Sequence, residues 1–211
     1  MSAVDPIAAL GRGRLLPILR TASADAAVAA TARLAAAGIE VIELTTTTPD
    51  WEAALARARA AHPVAAIGMG TIADAQLAER ALALGAAFLV SPWPVPDVRA
   101  LAMEAGVPLM EGGFTPGEVA DATSRGVAKL FPAHVGGPQY LRGLLAVLPG
   151  RRIVPTGGIA LAAVGSWLEA GAYAVGVGSD LLRVEDVGAA VAAAVAGAAP
   201  TAAPDAAGAG R

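Results

Sequence analysis

A closed (β/α)₈ barrel, in a single domain, is the fold that this sequence predicts. Three observations lead there. Short apolar runs alternate with helix-forming stretches in roughly eight units of about 20–25 residues each, the pattern of parallel strands joined by right-handed crossovers. Glycine repeatedly closes a helix just before the next apolar run, as at Gly38, Gly85 and Gly106. The runs are short and mostly uncharged, as strands covered on both faces should be. Eight such units favour closure over the runner-up, an open doubly wound sheet.

In order, residues 1–12 form an N-terminal segment with a short helix around Pro6–Leu10, and the barrel spans 13–197. The first strand is Leu15–Arg20, with its helix over Ala24–Ala37. Ile39–Leu44 leads through threonines and Pro49-Asp50 into the helix Trp51–Ala61. Val64–Ile67 runs into Gly68-Met69-Gly70-Thr71 and a helix over Ala73–Leu84. Ala87–Ser91 precedes Pro92-Trp93-Pro94 and a helix from Pro96 to Ala105. Val107–Met110 leads through Glu111-Gly112-Gly113 to a helix opening at Thr115-Pro116. Glu118, three residues beyond Thr115, makes that opening a capping box with proline in the first turn. Val127–Phe131 is followed by the helix Pro138–Val147, Arg152–Pro155 by Leu161–Ala170, and Tyr173–Val177 by a last helix from about Glu185 to Val195. Residues 198–211, rich in Ala, Pro and Gly, read as a disordered tail.

Composition narrows the function classes. Hydrophobic residues make up 55% and charged residues 16%, the net charge is −3, and no basic run occurs, so neither nucleic acid nor a membrane is an expected partner. Cysteine is absent. His62 and His134 join no His/Asp/Glu cluster with ligand spacing, so no metal is expected; His62 is assigned no role. With neither a leader nor an apolar stretch of membrane length, the expected location is the cytoplasm.

Two residues break the apolar pattern. Lys129 is the sole lysine of the chain and lies in the run Val127–Phe131. A buried amine is costly to keep charged, and a neutral amine attacks ketones to form a Schiff base. The alternative is a lysine that reaches past the strand end to solvent or a carboxylate. Glu43 lies in the run Ile39–Leu44 and reads either as a structural ion pair with Arg20 or Lys129, or as a general acid/base with a pKa raised by burial. In a barrel, both would reach the C-terminal face where catalytic groups collect. Gly157 and Gly158 after the seventh strand, with Gly178 and Ser179 after the eighth, read as a phosphate cup at the corner where barrels bind phosphate. Thr71 reads as a carboxylate ligand or a helix N-cap, and Arg20 as a bidentate carboxylate partner or a clamp on Glu43.

The segment Val127–Pro132 with Gly137-Pro138-Gln139-Tyr140 resembles the lysine segment of the 2-keto-3-deoxy-6-phosphogluconate (KDPG), 2-keto-3-deoxy-6-phosphogalactonate (KDPGal) and 4-hydroxy-2-oxoglutarate aldolases. Ile42–Thr45, Gly68–Thr71, Val90–Pro92, Phe114–Pro116, Pro155–Gly158 and Gly176–Ser179 resemble that family's other signatures, in the same order, across Leu15 to Leu182. The resemblance implies a cofactor-free, metal-free class I aldolase, usually a homotrimer, that acts on a small keto acid. It makes Lys129 the Schiff-base residue and Glu43 the proton shuttle. Arg20 and Thr71 would hold the carboxylate, Pro92 and Phe131 would line the pyruvate pocket, and Gly157, Gly158, Gly178 and Ser179 would receive phosphate. KDPG is the first expected substrate, with KDPGal, 4-hydroxy-2-oxoglutarate or an unphosphorylated keto acid as alternatives and a non-catalytic phosphate-binding barrel as a distant one. Three positions depart from the family pattern: Thr47 in place of an arginine, Glu111 in place of a proline, and His134 in place of a glutamate. Glu111 is expected at the mouth of the site, where its charge would repel an anion.

Overall fold

Residues alternate in and out along every strand, and this alternation organises the molecule. The computed structural model describes residues 4–197. Eight parallel strands follow one another: β1 (Leu15–Leu19), β2 (Val41–Thr45), β3 (Ala66–Gly70), β4 (Leu89–Val90), β5 (Leu109–Gly113), β6 (Val127–Leu130), β7 (Arg152–Pro155) and β8 (Val175–Val177). Each pairs with its neighbour in sequence, and β1 pairs with β8 through Leu15–Val175, Leu16–Gly176 and Pro17–Val177. A single bridge, Thr156 to Gly176, joins the β7 and β8 edges and brings the sheet nearly to closure.

The helices that cover the sheet are α1 (Pro6–Gly13), α2 (Ala24–Ala36), α3 (Trp51–Ala61), α4 (Ala75–Ala83), α5 (Pro96–Glu104), α6 (Pro116–Ser124), α7 (Gly137–Val147), α8 (Val164–Glu169), α9 (Asp180–Arg183) and α10 (Val187–Val195). The capping box of α6 forms with both of its reciprocal contacts. Gly38, Gly85 and Gly106 take φ of +81°, +75° and +65°, the left-handed turn that ends a helix at little cost without a Cβ. Outward strand residues such as Leu44, Met69, Leu89 and Ile153 pack under the helices. Inward residues Leu16, Val41, Ala66, Met110, Val127 and Val154 form a second core inside the barrel.

The N-terminal helix belongs to that inner core. Ala9 and Leu10 of α1 are buried at 2% and 1% exposure among the inward residues of the strands. The Tyr173 hydroxyl donates to the Ile7 carbonyl at 2.9 Å and ties the helix to the approach to β8. Helix α1 therefore closes the floor of the barrel.

Several elements differ from the sequence reading. β4 has only two residues, Leu89 and Val90, although the Ser91 N–H still donates to the Met110 carbonyl at 3.2 Å. A 3₁₀ turn at Ala133–Val135 precedes α7, and another at Leu161–Ala163 precedes α8. The four-residue helix α9 fills the stretch before α10, which starts at Val187. The tail reading, 198–211, lies outside the described residues.

Glu111 is not at the mouth. Strand parity turns it outward between β5 and the helices, while Gly112, paired with Lys129, faces inward. The carboxylate is 4% exposed and accepts from Arg99 Nε at 3.1 Å, Arg99 Nη2 at 2.9 Å, Arg125 Nη2 at 2.7 Å and the Val95 N–H at 3.0 Å. Asp121 completes a network of two arginines and two carboxylates, neutral overall. Removing the buried partner leaves both arginines and one N–H short of an acceptor. Because the arginines keep about a third of their exposure, the cost is discounted to about 2 kcal/mol. Glu111→Ala is therefore expected to lower the melting temperature by about 4–8 °C with catalytic turnover retained, as read by thermal denaturation beside an activity assay.

Candidate active site

Strand β6 delivers Lys129 and strand β2 delivers Glu43 to the interior at comparable depth. The amine Nζ stands 3.7 Å from Glu43 Oε1, and the two side chains are 8% and 1% exposed. That distance makes an ion pair but not a hydrogen bond, and among the described residues both Glu43 oxygens lack a hydrogen-bond partner. Burial pushes the Glu43 carboxyl above its ordinary value; Lys129, and more weakly Arg20, pull against that rise. The lysine amine also lies 5.4 Å from the centre of the Phe131 ring. The acid fits because β3 offers no side chain at the contact: a β-carbon on Gly70 would collide with the Glu43 carboxyl group.

Above this pair opens a cavity of about 640 Å³ at the C-terminal ends of the strands. Of the ten residues singled out from the sequence, nine line it: Lys129, Glu43, Arg20, Thr71, Phe131, Gly157, Gly158, Gly178 and Ser179. Pro92 does not. Its main chain instead packs over the inward face of Gly112, where a β-carbon would collide with it. Arg20 is exposed at the rim and makes no ion pair with Glu43 among the described residues, so the clamp reading fails. Thr71 is not a helix N-cap, because Asp74 caps α4. Thr71 takes φ +60°, unusual for a β-branched residue, and its carbonyl accepts from the Thr46 hydroxyl at 2.9 Å.

Nine further lining residues were not singled out as ligands, among them Thr45, Thr156, His134, Ile159 and Asp180. Thr45 had a signal, since it lies two residues beyond Glu43 and so shares its face. Asp180 directly follows Ser179. Its carboxylate accepts from the Leu161 N–H at 3.1 Å. Thr47 is exposed and off the cavity, with its hydroxyl 3.1 Å from that of Thr45. Behind the cup at β7 and β8 stand a 3₁₀ turn and the short helix α9, which opens directly after Ser179. The donors of the cup are loop amides: among the described residues, no protein group accepts the N–H of Gly158 or of Ser179. Nor does any group of three or more metal-ligating side chains occur among them.

The family model for KDPG and KHG aldolase matches residues 7–196. This chain belongs to the KDPG and KHG aldolase family. Its members are carbon–carbon lyases, and this chain is an enzyme of that kind. It is 31% identical over 173 residues to the 2-dehydro-3-deoxy-6-phosphogalactonate aldolase of Escherichia coli K12, covering 80% of this chain and 84% of the relative. It is 34% identical over 152 residues to the 2-dehydro-3-deoxy-phosphogluconate aldolase of Pseudomonas aeruginosa, covering 70% and 69%. Among solved structures, it superposes with a TM-score of 0.79 at 25% identity on the KDPG aldolase of Legionella pneumophila, in which pyruvate was captured as a covalent carbinolamine. That match covers 93% of this chain and 99% of the other. The relatives within the family thus carry names for both hexonate epimers.

Proposed function

We propose that this aldolase cleaves KDPG to pyruvate and glyceraldehyde 3-phosphate through a Schiff base on Lys129. One observation carries the reading: the only lysine of the chain and a buried carboxylate with a raised pKa meet 3.7 Å apart beneath one cavity. The carbinolamine captured in the Legionella relative supports it. The amine adds to the C2 ketone, and water leaves to give an iminium. The C4 hydroxyl proton passes through a water to Glu43 as the C3–C4 bond breaks. The bonding electrons flow into the iminium, giving an enamine, and the triose phosphate departs. Protonation at C3 and hydrolysis then release pyruvate and the free amine. Thr71 and Arg20 bind the carboxylate, Phe131 covers the pyruvate carbons, and the amides around Gly157, Gly158, Gly178 and Ser179 take the phosphate. The proposal includes a homotrimer, as the resemblance implies, and a cytoplasmic location, as the sequence reading expects; light scattering on the 20.7 kDa chain checks the assembly.

A second reading, in which an unphosphorylated keto acid is preferred, has one observation in its favour: the Asp180 carboxylate lines the same cup and would oppose a dianion. Pyruvate release measured on KDPG, KDPGal, 4-hydroxy-2-oxoglutarate and 2-keto-3-deoxygluconate separates the two. KDPG is expected to exceed its unphosphorylated counterpart at least tenfold in kcat/KM, or ~1.4 kcal/mol. A smaller ratio would transfer the assignment to the second reading.

A further inference from the structure

His134 projects from the 3₁₀ turn that follows β6, five residues beyond Lys129, and its ring is exposed at the wall of the cavity. Both nitrogens on its near side point at one atom. The His134 backbone N–H donates to the Gly157 carbonyl at 3.2 Å, and ring Nδ1 lies 3.3 Å from the same oxygen. A carbonyl oxygen only accepts, so Nδ1 carries the proton in this contact. The ring is also seated against the next residue, since a β-carbon on Gly158 would come within 2.8 Å of His134 Cγ and Nδ1.

The consequence follows from peptide geometry. In a planar trans unit, the carbonyl of one residue and the N–H of the next point in opposite directions. The Gly157 carbonyl is drawn toward the loop after β6, so the Gly158 N–H faces the other way, toward the loop after β8. There the N–H of Ser179 is likewise without a protein acceptor among the described residues. Gly157 and Gly158 take φ of +95° and +69°, and a glycine pair resists rotation of the peptide between them very little. A half-turn of that peptide would present a carbonyl oxygen to the cup and repel an anion.

We propose that His134 is a positioning residue for the phosphate group: by holding the Gly157 carbonyl it keeps the Gly158 N–H aimed into the cup between the β7 and β8 loops. This rests on the phosphate reading above and adds the element that orients the donor. It also accounts for the imidazole at this position, because the role requires a donor at the δ position of the side chain. Asparagine can supply that donor; alanine has none, and glutamine carries its amide one bond farther out.

The test is the ratio of kcat/KM on KDPG to that on 2-keto-3-deoxygluconate, measured on the full chain. His134→Ala and His134→Gln are each expected to lower the ratio about tenfold, and His134→Asn to hold it within about threefold of the parent protein. Equal losses on both substrates, an unchanged ratio in His134→Ala, or rescue by glutamine and not by asparagine would each overturn the assignment. A parent ratio near one is a different failure: it is seen before any substitution, and it removes the phosphate cup together with the residue proposed to shape it.

Discussion

Lys129→Ala is expected to abolish aldol cleavage, with kcat/KM down by about 10⁴ or more, because no other lysine exists to replace it. Lys129→Arg, which keeps the charge but not a nucleophilic amine, should be equally inactive. Borohydride added in the presence of pyruvate should leave one reduced adduct per chain, on the peptide that carries Lys129, and none in either variant. An active enzyme whose Lys129 stays unmodified under those conditions would remove the covalent mechanism. The fold should survive the change to alanine. Loss of the amine takes away the main group holding the Glu43 carboxyl down, so the acid becomes more readily neutral and easier to keep buried. Near-ultraviolet circular dichroism separates this outcome from unfolding.

Glu43→Gln is expected to lower kcat by about 10²–10⁴, the usual worth of a positioned proton-transfer group, with a smaller change in KM. Borohydride trapping should still label Lys129, though more slowly, since the amine remains. The pH profile gives the sharper reading. Burial places the Glu43 pKa above the ordinary 4.5. If the ionised form accepts the C4 hydroxyl proton, activity is present above the raised pKa and is lost as the pH falls through it. The acid limb of kcat/KM in the parent enzyme should therefore lie at higher pH than a free glutamate would give, and that limb should vanish in Glu43→Gln. An acid limb unchanged by the substitution would assign the proton transfer to another group.

Most of the architecture was legible from the sequence because it follows from periodicity and punctuation. The helix Trp51–Ala61 and the strand Arg152–Pro155 fall where the pattern put them, since an apolar face and a flanking turn define both. Strands were read two residues too early where the apolar run began in the preceding loop, as at Val64 before β3. Lys129 and Glu43 were conspicuous because a charge in a strand buried on both faces is costly. Glu111 stood out only as a departure from the family pattern, just past the strand as read, and its place was misread. The phase of the strand decides inside from outside, and its partners Arg99 and Arg125 come from neighbouring helices that no local pattern links to it. Pro92 failed for a related cause: it belongs to the right loop, but its chain turns across Gly112 rather than over the cavity. His134 gave no local signal, since its contact with Gly157 joins two loops that lie 23 residues apart.

Among the described residues, the helix that stoppers the barrel floor shuts the reaction chamber at that end, and the cavity opens at the other. Whatever binds deepest must be last out. In the proposed orientation the pyruvyl half is fastened to the floor and the aldehyde half faces the opening, so the triose departs while its partner is still tethered. In the reverse, synthetic direction the same stoppered floor obliges pyruvate to enter ahead of the aldehyde, an ordered sequence that follows from entry at the strand ends.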